Sequence, residues 1–542
     1  MNSDDSTSPG LSSPIAASER IHALDIVRGF ALVGIFLMNV EWFSRPISEL
    51  GTGVDLKQTG INYAASWLIY TFVQGKFWTM FSLLFGMGFA VMLGRAQSAD
   101  RGFVIPYVRR ILGLFLFGSA HYVLVWTGDI LHNYALTAIF LLLITTNSWR
   151  TSLALLLSFV ATGAAVFLTA GEDSVGPFAM HSMLLAVTLL VTFFVNRGPV
   201  SRYWKWGVVL YSLPFAIMLT VAAVSALMPK DAKKEAAAQT QAASQTQAAS
   251  KQDTAAAPAK AETAKAADSK AADPKAADTK PDKSKPKTEA EKQKEQAKQR
   301  AENKAKREKK RAEEVALYTK GSYYESIVYR TKEYMEDLPF AGGLSFLALP
   351  MFLIGFWFVR SGVIGNIKEH LPLFRKLAIT ALPIGLLMTL ASVSLTSSFL
   401  NADWDKTAPR LAQALFQWGM MPQSIGYVAL LICFLYTPLG KKLLSPLRYA
   451  GQMALTNYIT ANAIGMWFFS GYGLGYWGHV PRAGQVVFVA VVFAVQMVVS
   501  WWWLSRFRYG PLEWIWRAIT YWHVPPLRRG ESSEAASSTA TA

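Results

Sequence analysis

The chain has 542 residues, 52% of them hydrophobic, and a net charge of +17. A soluble chain of this size alternates polar and apolar faces, whereas this one repeats apolar runs of roughly 18–25 residues, the length that crosses a bilayer as a helix. The single cysteine, Cys433, excludes an internal disulfide and leaves a thiolate metal site too few ligands, so no metal centre is expected.

No Walker loop, dinucleotide fingerprint or zinc-type cysteine spacing occurs, so no tightly bound cofactor is expected. The positive charge does not point to nucleic acid either. Residues 230–320 hold 23 Lys+Arg against 15 Asp+Glu. The remaining excess lies mainly in short loops, where positive-inside anchors belong.

The pattern predicts an all-α polytopic membrane protein with about 12 transmembrane helices (10–12) and one long low-complexity extracytoplasmic insertion. The spans are expected at 23–43, 76–93, 107–126, 130–146, 151–170, 177–195, 206–228, 342–359, 377–400, 411–436, 452–469 and 486–504. Residues 61–74 read as an interfacial or partly inserted helix. Basic residues follow the even-numbered spans: Arg95, Arg101, Arg109 and Arg110; Arg197, Arg202 and Lys205; Arg360, Lys368, Arg375 and Lys376; Lys441, Lys442 and Arg448; Arg506, Arg508 and Arg517. That alternation places both termini in the cytoplasm if there are twelve spans. The first twenty residues are polar and the first apolar run continues as a full span, so no cleavable leader is expected.

The organisation that follows is a disordered tail (1–19), an N-terminal bundle of about seven spans (20–228) and a Lys/Ala-rich insertion (229–316), disordered or a single helix. An aromatic extracytoplasmic segment (317–339), a C-terminal bundle of about five spans (340–505), an interfacial helix (506–529) and a second tail (530–542) complete it. Within the insertion, 289–314 is free of Pro, mixed in charge and helix-prone. Its Lys-rich character fits an anionic envelope polymer as partner, beside the lipid bilayer itself. The oligomeric state is not legible.

The first span opens with Asp25 and Arg28 at i, i+3, which can pair near the boundary or serve as a snorkelling anchor. Asn39 near its far end can bridge to another helix, to His121 or to a substrate. In the second span Ser82, Gly86, Ala90 and Gly94 recur every four residues, a stripe where a neighbouring helix can come close.

Two apolar runs then meet at Trp126-Thr127-Gly128-Asp129. Polar groups set in membrane-length apolar sequence are costly, which makes His121, Asp129, His132, Asn133 and Tyr134 candidate site residues. Asp129, His132 and Asn133 follow i, i+3, i+4 spacing on one helix face, and His121 can meet that face across the turn. A His beside a carboxylate is raw material for general-base chemistry, although an intramembrane His also serves as a hydrogen-bonded packing residue.

The eleventh span opens with Thr456, Asn457 and Tyr458, an unusually polar turn, with Tyr458 and Asn462 on one face. The last segment places Pro511 at a helix start and Glu513 and Arg517 at i, i+4, a potential structural ion pair.

These residues also form an ordered set of motifs. They are Arg20…Leu24-Asp25…Arg28-Gly29, Lys76-Phe77-Trp78…Phe81-Ser82-Leu83-Leu84-Phe85-Gly86, Gly128-Asp129-Ile130-Leu131…Tyr134-Ala135, Gly451…Met453-Ala454-Leu455-Thr456-Asn457-Tyr458 and Gly510-Pro511-Leu512-Glu513-Trp514…Arg517. The set closely resembles the YeiB-like family of bacterial membrane proteins, a domain of unknown function (number 418). That family is similar to transmembrane acyltransferases such as the lysosomal heparan glucosaminide acetyltransferase, whose first span also carries a Leu/Val-Asp-x-x-Arg-Gly start. The resemblance implies transfer of an acyl group from cytoplasmic acyl-CoA, as donor substrate, to a sugar on the other side. The acyltransferase-3 family has a His near the end of its first span, where this chain reads Met38-Asn39-Val40, so the analogy supplies no base.

The reading is a membrane acyltransferase. Arg28, Arg109 and Arg110 would bind the CoA phosphates, His121 would act as base oriented by Asp129, and Asn39, His132, Asn133, Tyr134, Thr456, Asn457 and Tyr458 would be polar contacts in the cavity. The alternatives are a secondary transporter of a small solute, in which the same groups relay protons, and a non-catalytic envelope scaffold.

Overall fold

The computed structural model describes residues 21–100, 102–146, 148–170, 175–195, 198–227, 289–399, 402 and 406–529. The expected tails 1–19 and 530–542, and residues 229–288 of the insertion, lie outside the described residues. Apart from two isolated β-bridges, every regular element described is a helix. In chain order they are α1 (His22–Asn39), α2 (Gly60–Phe72), α3 (Lys76–Ser98), α4 (Val104–Leu124), α5 (Leu131–Thr146), α6 (Trp149–Ala170), α7 (Val175–Val195) and α8 (Ser201–Leu227). Then follow α9 (Glu289–Lys320), α10 (Tyr323–Asp337), α11 (Ser345–Arg360), α12 (Leu371–Leu395), α13 (Thr407–Leu435), α14 (Pro438–Leu444), α15 (Leu447–Gln452), α16 (Ala454–Phe469), α17 (Arg482–Arg506) and α18 (Pro511–Tyr521).

Two units emerge. One, Val221–Lys310, holds the last turns of α8 and most of α9. The α9 sequence is free of Pro, and pairs such as Lys298–Glu302 and Lys304–Glu308, each 3.9 Å apart, suit a solvated single helix. The other unit is the helical bundle, residues 21–220 and 311–529.

Among the described residues eight helical stretches are long and apolar enough to cross a membrane: His22–Phe43, Gly60–Ser98, Trp149–Leu168, Gly176–Val195, Ser201–Val224, Leu371–Leu395, Thr407–Leu435 and Arg482–Arg506. Tyr323–Phe340 and Ser345–Arg360, bent by 69°, make a ninth if counted as one span. The sequence predicts twelve. Each expected span does contain a helix, but α4, α5, α11 and α16 fall short of a free-standing span. Three of these, α5, α11 and α16, have 16 residues each. They are largely walled by other helices, and backbone shielded by protein rather than lipid needs no full bilayer length.

The outer helices are inside-out relative to a soluble protein. On α17, Val487, Val491, Val495 and Val498 recur at helical spacing and are exposed, while Gln485, Gln496 and Ser500 are buried. Helices α6 and α12 likewise expose Leu157, Leu168, Ile379 and Leu387. Apolar faces turned outward over whole helices are what a lipid-facing bundle presents.

Inside, α3 and α11 approach closely through the expected small-residue stripe. A Cβ on Gly86 would strike the Phe352 carbonyl, and one on Gly355 would strike the Leu83 carbonyl. At the start of α3 the fully buried Lys76 donates to the Tyr70 carbonyl near the end of α2 (3.2 Å) and lies 4.1 Å over the Phe416 ring.

The aromatic segment that begins in the last turn of α9 docks on the bundle. Tyr318 stacks on Trp477 at 5.1 Å. Helix α10, opened by a Ser322/Glu325 capping box, clasps the end of α4. There Arg330 donates to the carbonyls of Val123 (2.7 Å) and Leu124 (3.2 Å), and Tyr323 donates to that of Leu124 (2.8 Å). Carbonyls left over at a helix end are thereby satisfied.

Candidate functional site

The turn between α4 and α5 builds the centre of the site. Asp129 Oδ2 accepts from the backbone N–H of His132 (3.0 Å) in the first turn of α5, where a carboxylate also complements the helix dipole. Nδ1 of His132 meets the same oxygen at 2.9 Å, and Nδ1 of His121 meets Oδ1 at 2.9 Å. One carboxylate thus ties the end of α4 to the start of α5. The two helices can come this close because residue 118 is glycine. A Cβ there would lie 2.8 Å from Asp129 Oδ2 and would collide with the His132 backbone nitrogen.

Burial pushes the Asp129 carboxyl up, but the hydrogen bonds and charges of His121 and His132 outweigh it and hold the group below its ordinary value. Carboxylate and histidines are all buried.

The cluster continues outward on both sides. Asn462 on α16 donates from Nδ2 to Nε2 of His121 (3.0 Å), and Asn39 at the end of α1 donates to Asn462 Oδ1 (3.3 Å). On the other side Asn133 meets Nε2 of His132 at 3.0 Å, while its Oδ1 accepts from the Gly342 backbone N–H (2.9 Å). The result is one chain of polar contacts, Asn39, Asn462, His121, Asp129, His132, Asn133, Gly342, crossing the bundle through otherwise apolar surroundings. Among the described residues no group of three or more His, Cys, Asp or Glu side chains is placed to hold a metal ion.

A cavity of about 890 Å³ ends against this chain. Its rim lies where α3 ends and α4 begins, at Arg95, Ser98 and Gly102, and Arg28, Arg110, Arg360 and Arg517 also line it. Its walls are apolar, with Leu84, Phe85 and Phe89 among them, and its inner end reaches Ile130, Leu131, Tyr134 and Tyr458. His121, Asp129 and His132 do not line it. They sit behind that partition, with the Tyr458 ring 5.2 Å from the His121 ring. The buried Tyr458 hydroxyl lies beside the Ile130 backbone and the Asn462 side chain.

The structure therefore sorts the expected site residues. Asn39, His121, Asp129, His132 and Asn133 come together in the chain. Tyr134 and Tyr458 line the cavity, and the Tyr134 hydroxyl donates to the Trp78 carbonyl (2.6 Å) and accepts from Ser82 (3.1 Å). Arg28 lines the cavity and pairs with Asp25 at 2.8 Å. Arg110 lines it with its guanidinium 3.8 Å over the Trp516 ring. Arg109 does not line it and lies over Trp522 at 5.2 Å.

Thr456 and Asn457 do not line this large cavity and connect helices. Thr456 donates to Glu513 (2.6 Å), and Asn457 donates to the Ala450 carbonyl (3.2 Å) and to Ser500 (2.9 Å). Glu513 also accepts from the backbone N–H groups of Leu455 (2.7 Å) and Thr456 (3.1 Å), capping α16 from α18. Arg517, its expected partner, lies 4.6 Å over the Tyr509 ring. Sequence reasoning missed Asn462 as a site residue, although its shared face with Tyr458 is visible in the spacing. It also missed Arg95, Arg360 and Arg517 as cavity residues, all of which stand in the basic runs.

Residues 358–523 match the family model described as "Protein of unknown function (DUF418)". The chain is 26% identical over 525 residues to "Uncharacterized protein YxaH" of Bacillus subtilis (strain 168), covering 95% of this chain and 98% of that protein. It is 32% identical over 171 residues to "Uncharacterized protein YeiB" of Escherichia coli (strain K12), covering 31% of this chain and 43% of that protein. A third relative, "Uncharacterized 39.9 kDa protein in amylase 3'region" of Bacillus acidopullulyticus, is 38% identical over 122 residues, 22% of this chain and 33% of that protein. No solved structure matches significantly. These matches bear out the resemblance to YeiB-like proteins. Tyr458, Asn462 and Glu513 fall inside the matched region, and His121, Asp129 and His132 lie before it.

Proposed function

We propose that this YeiB-like membrane protein is a transmembrane acyltransferase that takes an acyl group from cytoplasmic acyl-CoA and passes it to an extracytoplasmic sugar or envelope component. One observation carries the reading. A cavity lined by five arginines against two carboxylates, Asp25 and Glu513, and by apolar side chains ends against a buried His–Asp–His cluster. Clustered guanidinium groups suit phosphates, apolar walls suit an acyl and pantetheine arm, and a His–carboxylate pair suits proton removal from an acceptor.

In this reading Arg28 and Arg110, joined by Arg95, Arg360 and Arg517, hold the phosphates at the cytoplasmic rim, and Arg109 stands aside. Nε2 of His121 takes the proton from an acceptor hydroxyl or amine. The acceptor atom forms a bond to the thioester carbon, the carbon–sulfur bond breaks, and CoA leaves as thiolate and recovers a proton. Asp129 keeps His121 oriented throughout. Asn462 must release Nε2 and the Tyr458 partition must open for this step. The chain is then a twelve-helix protein of the bacterial inner membrane, with α5, α11 and α16 as short inner spans, both termini cytoplasmic and the insertion outside.

A second reading has its own support. The polar chain from Asn39 to Asn133 is continuous and both His Nε2 atoms are engaged, as in a proton relay, which favours a proton-coupled carrier of a small solute. Reconstituted protein distinguishes the two. Transfer of acyl groups that is lost in His121→Ala supports the enzyme. Transfer unchanged in that variant refutes His121 as base, and pH-driven solute uptake without transfer supports the carrier.

A further inference from the structure

The two histidines sharing Asp129 are not equivalent, and the difference lies in what backs each of them. His132 is backed by Asn133, whose Oδ1 accepts from the Gly342 backbone N–H at 2.9 Å. A backbone N–H can only donate, so the orientation of the Asn133 amide is fixed. Its Nδ2 then faces His132 Nε2 at 3.0 Å and must donate to it. His132 is held neutral, with its single proton on Nδ1 toward Asp129. A second proton on Nε2 would set two donors face to face, and turning Asn133 over would only move that clash to Gly342.

His121 is backed by Asn462, and Asn462 by another side-chain amide, that of Asn39. No backbone group fixes this pair. If both amides turn over together, Asn462 offers Oδ1 to a protonated Nε2 and Nδ2 to the Asn39 oxygen, and every donor still meets an acceptor. The charge balance calls for one proton but does not choose its site. With both rings neutral the buried cluster carries the one negative charge of Asp129, which a proton on either ring would neutralise across a 2.9 Å contact, so the choice falls to the amides behind the rings. The other titratable groups around His121 are Tyr458 on α16, with rings 5.2 Å apart, and His132 across Asp129. Beyond His132 stand Tyr122 and, on α10, Tyr334 and Asp337, with the Tyr122 hydroxyl donating to Asp337 at 2.7 Å.

We propose that His121 is the proton-accepting member of the cluster, and that Asn462, backed by Asn39, is the positioning residue that turns over to admit the proton while Asn133 keeps His132 neutral. The proposal rests on the acyltransferase reading for its purpose, and it names the rotor which frees and then captures the base.

The test uses full-length protein in proteoliposomes with its seven histidines isotopically labelled at the ring nitrogens, read by nuclear magnetic resonance. His121→Gln and His132→Gln assign the two signals. From about pH 8 to about pH 5, both rings should begin as neutral Nδ1–H tautomers, and His121 should gain its second proton before His132. Asn462→Asp, whose ionised side chain can only accept, should hold His121 doubly protonated throughout. Asn133→Asp should make His132 the member that takes the proton. A proton arriving first or simultaneously at His132, a neutral Nε2–H tautomer on either ring, or a neutral His121 in Asn462→Asp overturns the proposal. These signals do not depend on acyl transfer, so the enzyme reading can fail while this one stands, and the reverse.

Discussion

His121 and Asp129 face each other across the turn between α4 and α5, with Nδ1 and Oδ1 2.9 Å apart and neither side chain exposed. Asp129 is the hub, because His121, the His132 ring and the His132 backbone all direct polar hydrogens at it. Removing it leaves buried donors without an acceptor. Asp129→Ala should cost about 3 kcal/mol of stability, seen as a lower unfolding midpoint in detergent. A midpoint equal to the parent's would mean that the carboxylate is not the tie between these helices.

Gly118 makes that tie sterically feasible. Gly118→Ala should destabilise by about 1–3 kcal/mol, since the methyl meets the His132 backbone and Asp129 Oδ2 with no room to relax. It should also disturb the histidine resonances, whereas Gly102→Ala, where a Cβ meets nothing within 4 Å, should do neither. Equal effects from the two would remove close packing as the explanation.

Two carboxylates impose opposite dependences on pH. Asp129 is held below its ordinary 3.8, so the unfolded chain binds its proton more tightly. The stability it supplies is complete above that range and is lost as pH falls through its folded value. Burial raises Glu513 above its ordinary 4.5, although the donors of Leu455 and Thr456 oppose this. Its native form therefore binds the proton more tightly, and its contribution declines as pH rises from 4.5 until the folded value is passed. Melting temperatures of Glu513→Gln and parent should diverge in the variant's favour as pH rises from about 4 to about 8. A constant difference would contradict buried ionisation at Glu513.

Much of this arrangement is legible in sequence where the code is local. Asp129 and His132 are three residues apart on one turn, and the apolar runs locate a helix at every expected span. What spacing cannot carry is a partner hundreds of residues away. His121 and Asn462 are 341 positions apart and meet only through the tertiary fold. The same limit hid which arginines share a cavity. Arg109 and Arg110 are adjacent in sequence, yet helical rotation sends one to Trp522 and the other to the cavity over Trp516. Glu513 also caps α16, a tertiary partner that its i, i+4 spacing to Arg517 does not reveal.

The most direct test of the central claim is calorimetric binding of acyl-CoA to the purified, folded protein in detergent. The account predicts saturable binding that weakens at least about tenfold, or about 1.4 kcal/mol, in Arg28→Ala and in Arg110→Ala. Arg109→Ala, whose guanidinium lies off the cavity, should bind like the parent. Absence of binding for acetyl-, succinyl- and longer acyl-CoA, or equal losses in Arg109→Ala and Arg110→Ala, would contradict the cavity as a CoA site.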